Sequence, residues 1–177
     1  MSSAPVDLVI LVPCKDLEQV VQVLIGDRVG ALGSRRMEYE VVYVPMHDPA
    51  VRTKALGLLS PYVGHAARAL VLIDRHGSGA EDRCPEQIET EVEASISRDW
   101  ADGCAAVCID PELEAWIWSD PGVLARTLPA IRPSLTREDV ERAAQANAPA
   151  PDEDHEEAFR RTLAQLNVKA SQGHFVF

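Results

Sequence analysis

Four short segments hold most of the residues capable of chemistry: Pro13-Cys14-Lys15-Asp16, Pro45-Met46-His47-Asp48, Asp74-Arg75-His76-Gly77 and Asp110-Pro111-Glu112-Leu113-Glu114. Each follows an apolar run, so each marks the end of a predicted strand. Asp74 and His76 stand two apart, which lets both point to one side as the chain leaves a strand. There the Asp offers an anionic oxygen and the His a neutral nitrogen or a general base. The competing reading is an Asp that caps the next turn beside a surface His. Asp110 before Pro111 reads as a helix N-cap, with Glu112 in the first turn, where a carboxylate suits the helix dipole without any catalytic role. Glu114 lies one residue past Leu113, at the border of the stripe Leu113, Trp116 and Ile117. It is a candidate site residue close to the strand ends. Cys14 precedes a helix start and adjoins Lys15, a setting that lowers a thiol pKa, but no His is matched to it.

The elements that position these groups follow from hydrophobic periodicity. Leu8–Val12 is a continuous apolar run, the pattern of a strand buried on both faces. Asp16 then reads as a helix cap, with Leu17, Val20, Val21 and Leu24 at helical spacing and Gly33 as the stop. Residues 40–44 form a second strand, and Asp48-Pro49 opens a helix to about Leu59. Residues 69–73 are a third strand ending in Asp74, followed by a turn through Gly77-Ser78-Gly79. Pro85 opens a long helix with Ile88, Val92 and Ile96 inward, Gly103 ends it, and residues 105–109 make a fourth strand. Strand and helix alternate, which argues for a mostly parallel sheet with right-handed crossovers. Ligands in such sheets bind outside the carboxyl ends of the strands, where all four polar segments fall.

Beyond Ser119 the strand pattern stops. Helices are expected over 134–146, capped by Ser134 or Thr136, and over 152–166, joined by an Ala/Pro linker. Trp116 and Trp118 project about 200° apart on a helix, so one of them packs against the C-terminal helices. The tail ends in Phe-Val-Phe, read as docked on the core or as a partner-binding strand.

Net charge is −11, from 28 acidic and 17 basic residues, which excludes a basic protein that coats nucleic acid. Between Glu81 and Glu114 eleven acidic residues face only Arg83 and Arg98, so this stretch carries −9 of the total. It reads either as a solvated helix face or as carboxylates converging on a divalent cation. The N-terminal residues lack a basic region and a cleavage site, so the four cysteines are expected as reduced thiols in the cytoplasm. Cys104 and Cys108 read as small core residues of one strand face. No apolar run approaches the roughly 20 residues of a membrane span. Phosphate-binding loops, dinucleotide fingerprints and nucleophile elbows are missing.

The order Leu8–Leu24, then Ile73-Asp74-Arg75-His76-Gly77, then Glu112-Leu113-Glu114-Ala115-Trp116 with Ser119-Asp120 behind it, resembles the TOPRIM-like proteins of bacterial defence loci. The likeness covers roughly residues 8–120, and its specific part is the Glu-x-Glu-x-Trp segment. The chain is also similar in size and pattern to small accessory proteins of methylation-associated phage defence. The resemblance implies a Rossmann-like, TOPRIM-related α/β core over residues 1–120, with a sheet of about four strands flanked by helices. A C-terminal helical extension and tail follow over 121–177.

It further implies Mg²⁺ or Mn²⁺ held by Asp74, His76 and Glu114 in one cleft, with His76 or Glu112 activating water. The implied function is a component of a prokaryotic anti-phage defence system, a metal-dependent nuclease or phosphodiesterase with a degenerate site. The alternative is a non-catalytic scaffold binding partner proteins of the same locus. A small-molecule hydrolase or nucleotide-binding regulator is a third class. Implied partners are other proteins of the locus and nucleic acid, with no membrane. Two departures from the pattern stand out. Pro13 or Cys14 occupies the first-strand glutamate position, with Asp16 and Glu18 as the nearest substitutes. His76 replaces the second Asp, and His suits transition metals better than Mg²⁺. A nuclease also needs cations for phosphates, and Lys15, Arg52, Lys54 and Arg75 are the candidates near strand ends.

Overall fold

The computed structural model describes residues 6–45, 47–100, 103–120, 122–150 and 153–168. The Phe-Val-Phe tail lies outside the described residues. These residues divide into two compact units, one ending at Pro111 and the other starting at Glu112.

The first unit is a Rossmann-like α/β fold. Strands β1 (Leu8–Val12), β2 (Tyr39–Tyr43), β3 (Ala69–Asp74) and β4 (Cys104–Ile109) form an all-parallel sheet in the order β2-β1-β3-β4. Leu8 pairs with Tyr39, Val9 with Ala69, and Ala69 with Cys104. β1 therefore has β2 on one side and β3 on the other, and the chain changes winding direction there. The gap beyond the ends of β1 and β3 is the topological switch point of the sheet.

Alternation along the strands divides the core. Val9, Leu11, Val71 and Ile73 pack with α2 (His47–Leu59) and α3 (Pro85–Trp100), through Val51 and Leu59 of the former and Ile88, Val92 and Ile96 of the latter. Ile10 and Val12 project to the opposite face, on whose side α1 (Lys15–Val21) brings Leu17 and Val21 against β1. Cys14, not Asp16, caps α1: its Sγ accepts the Leu17 N–H at 3.4 Å. The helix does not run on towards Gly33. It widens into a π-helical segment, Gln22–Asp27, whose end is marked by the bond from Arg28 N–H to the Val23 carbonyl.

β4 is an edge strand, and its outward N–H groups would be open to a foreign strand. They are occupied instead. Glu93 of α3 accepts the Ala106 N–H at 3.0 Å, and Glu89 accepts that of Cys108 at 2.9 Å. Part of the acidic stretch thus neither faces water alone nor gathers a cation; it closes the sheet. Cys108 is buried and Cys104 half-buried on the same face, as small core residues.

The second unit is helical: α4 (Ala115–Ser119), α5 (Gly122–Ile131), α6 (Arg137–Asn147) and α7 (His155–Gln165). Ile117, Leu124, Leu128, Val140 and Leu163 form its core. Thr136 caps α6 in a reciprocal box with Asp139. α5 has no counterpart in the sequence reading, and Pro129 lies inside it. Proline removes one backbone donor and clashes with the preceding turn, yet burial of Leu124, Ala125 and Leu128 holds the helix. Trp118 is the tryptophan that packs inward, its Nε1 donating to the His155 carbonyl at 3.3 Å. Trp116, expected on the apolar stripe, is 51% exposed.

Candidate functional site

The carboxyl end of the sheet is built from the α/β unit's own strand ends. Asp74 closes β3 and is buried. β1 pairs with β3 only as far as Val71, so the Asp74 N–H has no strand partner on that side. Asp48, in the first turn of α2, supplies it: its Oδ1 accepts the Asp74 N–H at 2.8 Å. Asp48 is therefore not the N-cap that Asp48-Pro49 suggests; it ties one strand end to the next. His47 before it has φ 60, the left-handed region that a non-glycine residue seldom occupies. Such strained positions concentrate at functional sites.

Cys14 lies among these groups. Burial pushes its thiol up to about 12, the Leu17 N–H opposes this, and the carboxylates of Asp74, Asp16 and Asp48 add to the rise. The helix start and Lys15 led us to expect a lowered pKa. Desolvation outweighs both, because Lys15 is turned to Glu18 and lies 4.3 Å from the centre of the Tyr43 ring. Cys14 is a poor nucleophile at neutral pH. The half-buried Cys14 thus lies near carboxylates from the ends of β1, β2 and β3.

The segment after β3 is firmly held. The Arg75 N–H continues the ladder to the Ile109 carbonyl, and His76 N–H donates to the Pro111 carbonyl, both at 2.8 Å. Arg75 Nε donates to Asp110 at 2.7 Å, and its Nη1 reaches the Glu81 carbonyl at 3.3 Å. Asp110 consequently caps no helix, and the chain turns through residues 112–114 before α4 begins. Gly77 (φ 82) and Gly79 (φ 71) make the turn, and Ser78 is fully buried between them. Arg52 of α2 donates through Nε to the Ser78 carbonyl at 3.0 Å and through Nη1 to Glu91 at 2.8 Å. Arg83 takes the other Glu91 oxygen. His76 itself is exposed on this turn.

The remaining nominated residues belong to the helical unit. Glu112 is buried, and its Oε1 accepts the N–H groups of His155 at 2.6 Å and Glu156 at 2.9 Å. The dipole it complements is that of α7, not of the helix that follows it in sequence. Glu114 is half-buried at the N-cap position of α4, with no side-chain capping bond. The structure thus brings Asp74 and His76 to one strand end, and Glu112 and Glu114 to the start of the helical unit. Asp48 was missed as a neighbour of Asp74. The one signal available was its place at another strand end.

The fold defines a small Rossmann-like α/β protein with its polar groups at the strand ends. No protein-family model, curated protein or solved structure matches the chain.

Proposed function

We propose that the carboxyl end of the sheet binds a divalent cation, Mg²⁺ or Mn²⁺, for phosphodiester chemistry on nucleic acid within a prokaryotic anti-phage defence system. One observation carries the metal reading: Asp48 Oδ1 accepts the Asp74 N–H at 2.8 Å, so carboxylate-bearing residues from the ends of β2 and β3 meet, and the Cys14 thiol is raised by both and by Asp16. Hard carboxylate oxygens are the donors such cations prefer. Asp74 is the ligand shared with the TOPRIM pattern, and Asp16 stands in for its first-strand glutamate. A bound cation would polarise the phosphate and lower the pKa of an attacking water. His76, exposed on the turn that follows, would take that water's proton. Glu112 as base and Glu114 as ligand rest on the resemblance alone, as does the defence role with its partner proteins.

Thermal unfolding with and without Mn²⁺ tests this. A cation that binds the native state alone raises the melting temperature by mass action. The shift is expected for the wild type and lost in Asp74→Asn. An equal shift in both, or none at millimolar ion, overturns the reading.

A second reading, the non-catalytic scaffold, is favoured by a different observation. Three of the four cations expected to grip phosphate are engaged within the chain: Lys15 by Glu18, Arg52 by Glu91 and Arg75 by Asp110. Metal binding without cleavage of single- or double-stranded DNA or RNA would select this reading.

A further inference from the structure

Away from the strand ends, α1, the π-helical segment and the edge strand β2 form an open groove of about 600 Å³. That volume lies within the range of small-molecule sites. Its lining is Glu18, Gln19, Gln22 and Asp27 with Tyr39, over an apolar floor of Val23 and Val41; Gly26 completes it. Oxygen acceptors dominate, and among the described residues no Lys or Arg is in the lining, although Lys15 pairs with Glu18.

The π-helical segment is what assembles this wall. In an α-helix Glu18 and Gln22, four apart, lie one above the other. Asp27 would then fall on the opposite side from Glu18, because nine residues at 100° each make two and a half turns. In the π segment the hydrogen bonds run i to i+5 and each residue turns through less than 100°, which brings Asp27 back towards the side of Gln22. Glu18, Gln22 and Asp27 all line the groove. Gly26 has its own part: a Cβ there would meet Tyr39 Oη at 3.1 Å, so glycine lets the phenol pack close against the helical segment.

The charges are arranged for a ligand that is long and positive. Asp27 is exposed at the C-terminal end of the helical segment, where a carboxylate opposes the macrodipole and a cation is favoured. Glu18 shares one oxygen with Lys15 and turns the other towards Gln22 Nε2 at 3.5 Å. The two carboxylates stand two turns apart, roughly 11 Å along the axis, too far to share one metal ion.

We propose that this groove binds a linear aliphatic polyamine. Its end ammonium groups meet Glu18 and Asp27, its middle donors meet the carboxamides and Tyr39 Oη, and its methylenes lie on Val23 and Val41. Isothermal titration with spermidine at low ionic strength tests the assignment. One-to-one binding is expected, weakened about tenfold in Asp27→Asn. Gly26→Val should abolish it by displacing Tyr39, with circular dichroism reporting that the fold persists. Glu86→Gln removes the same charge elsewhere on the surface and should leave affinity unchanged. Equal weakening by Asp27→Asn and Glu86→Gln would mean diffuse attraction to an acidic protein and overturn the proposal. Absence of binding heat to millimolar spermidine would overturn it as well.

Discussion

The Glu93 carboxylate accepts the backbone N–H of Ala106 on the open edge of β4, at 3.0 Å. Glu89, one helical turn earlier, does the same for Cys108. A helix that crosses back over the sheet thereby seals the strand it has just delivered, and the open rung of the ladder has a charged occupant.

Removing both carboxylates should reopen the edge. Each lost charge-assisted bond costs about 1.5–3 kcal/mol, so Glu89→Ala with Glu93→Ala should lower stability in urea unfolding. The same variant should self-associate in analytical ultracentrifugation, since an unpaired edge templates strand addition. A double variant that stays as monodisperse as the wild type would refute the sealing role.

Glu112 should matter to the helical unit whether or not it does chemistry. It is buried and holds the first two N–H groups of α7. Glu112→Ala should cost about 2–4 kcal/mol and unravel the start of α7, read as loss of amide-exchange protection at residues 156–160. Glu112→Gln, which keeps an acceptor, should cost less. A change confined to activity would mean that this anchoring is dispensable.

Asp139 gives stability a pH dependence of known sign. The Thr136 hydroxyl and N–H hold its carboxyl below the ordinary 3.8. The native state therefore binds its proton less readily than the unfolded chain. The contribution is complete above pH 3.8 and disappears as the pH falls through the lower folded-state value. Asp139→Asn should lower the melting temperature at pH 7 and converge with the wild type near the acid end of the scan. Parallel curves down to the lowest pH would rule the linkage out.

Thiol labelling should follow burial. Cys84 is exposed, whereas burial pushes both Cys14 and Cys108 up to about 12. Iodoacetamide at pH 7.5 should modify Cys84 first, with Cys14 and Cys108 protected until the chain unfolds. Rapid labelling of Cys14, mapped by mass spectrometry, would show that its thiolate forms readily.

The sheet was legible because its strands are mostly apolar runs with branched side chains, bounded by proline or by charge, although only β1 and β3 are largely buried and β2 is half-buried throughout. Ile88, Val92 and Ile96 likewise announced the face of α3 through their spacing alone. Cap chemistry was less readable. Asp48-Pro49 and Asp110-Pro111 look alike in sequence, yet one aspartate turns to the Asp74 N–H and the other to Arg75. Both choices are tertiary: they depend on groups more than 20 residues away. The π-helical widening left no periodic signature either, since it spans a single turn. For the site, the strand ends were foreseeable, while the approach of Asp48 to Asp74 and the raised Cys14 pKa required the packing that creates them.

The Arg52 clamp on the turn after β3 has one more consequence. A single guanidinium joins α2, the buried Ser78 carbonyl and Glu91 of α3, so the turn bearing His76 belongs to the scaffold. Whatever docks there meets groups already in position, and no loop must lose freedom on its arrival. Recognition at this turn is accordingly a matter of shedding water and matching charge.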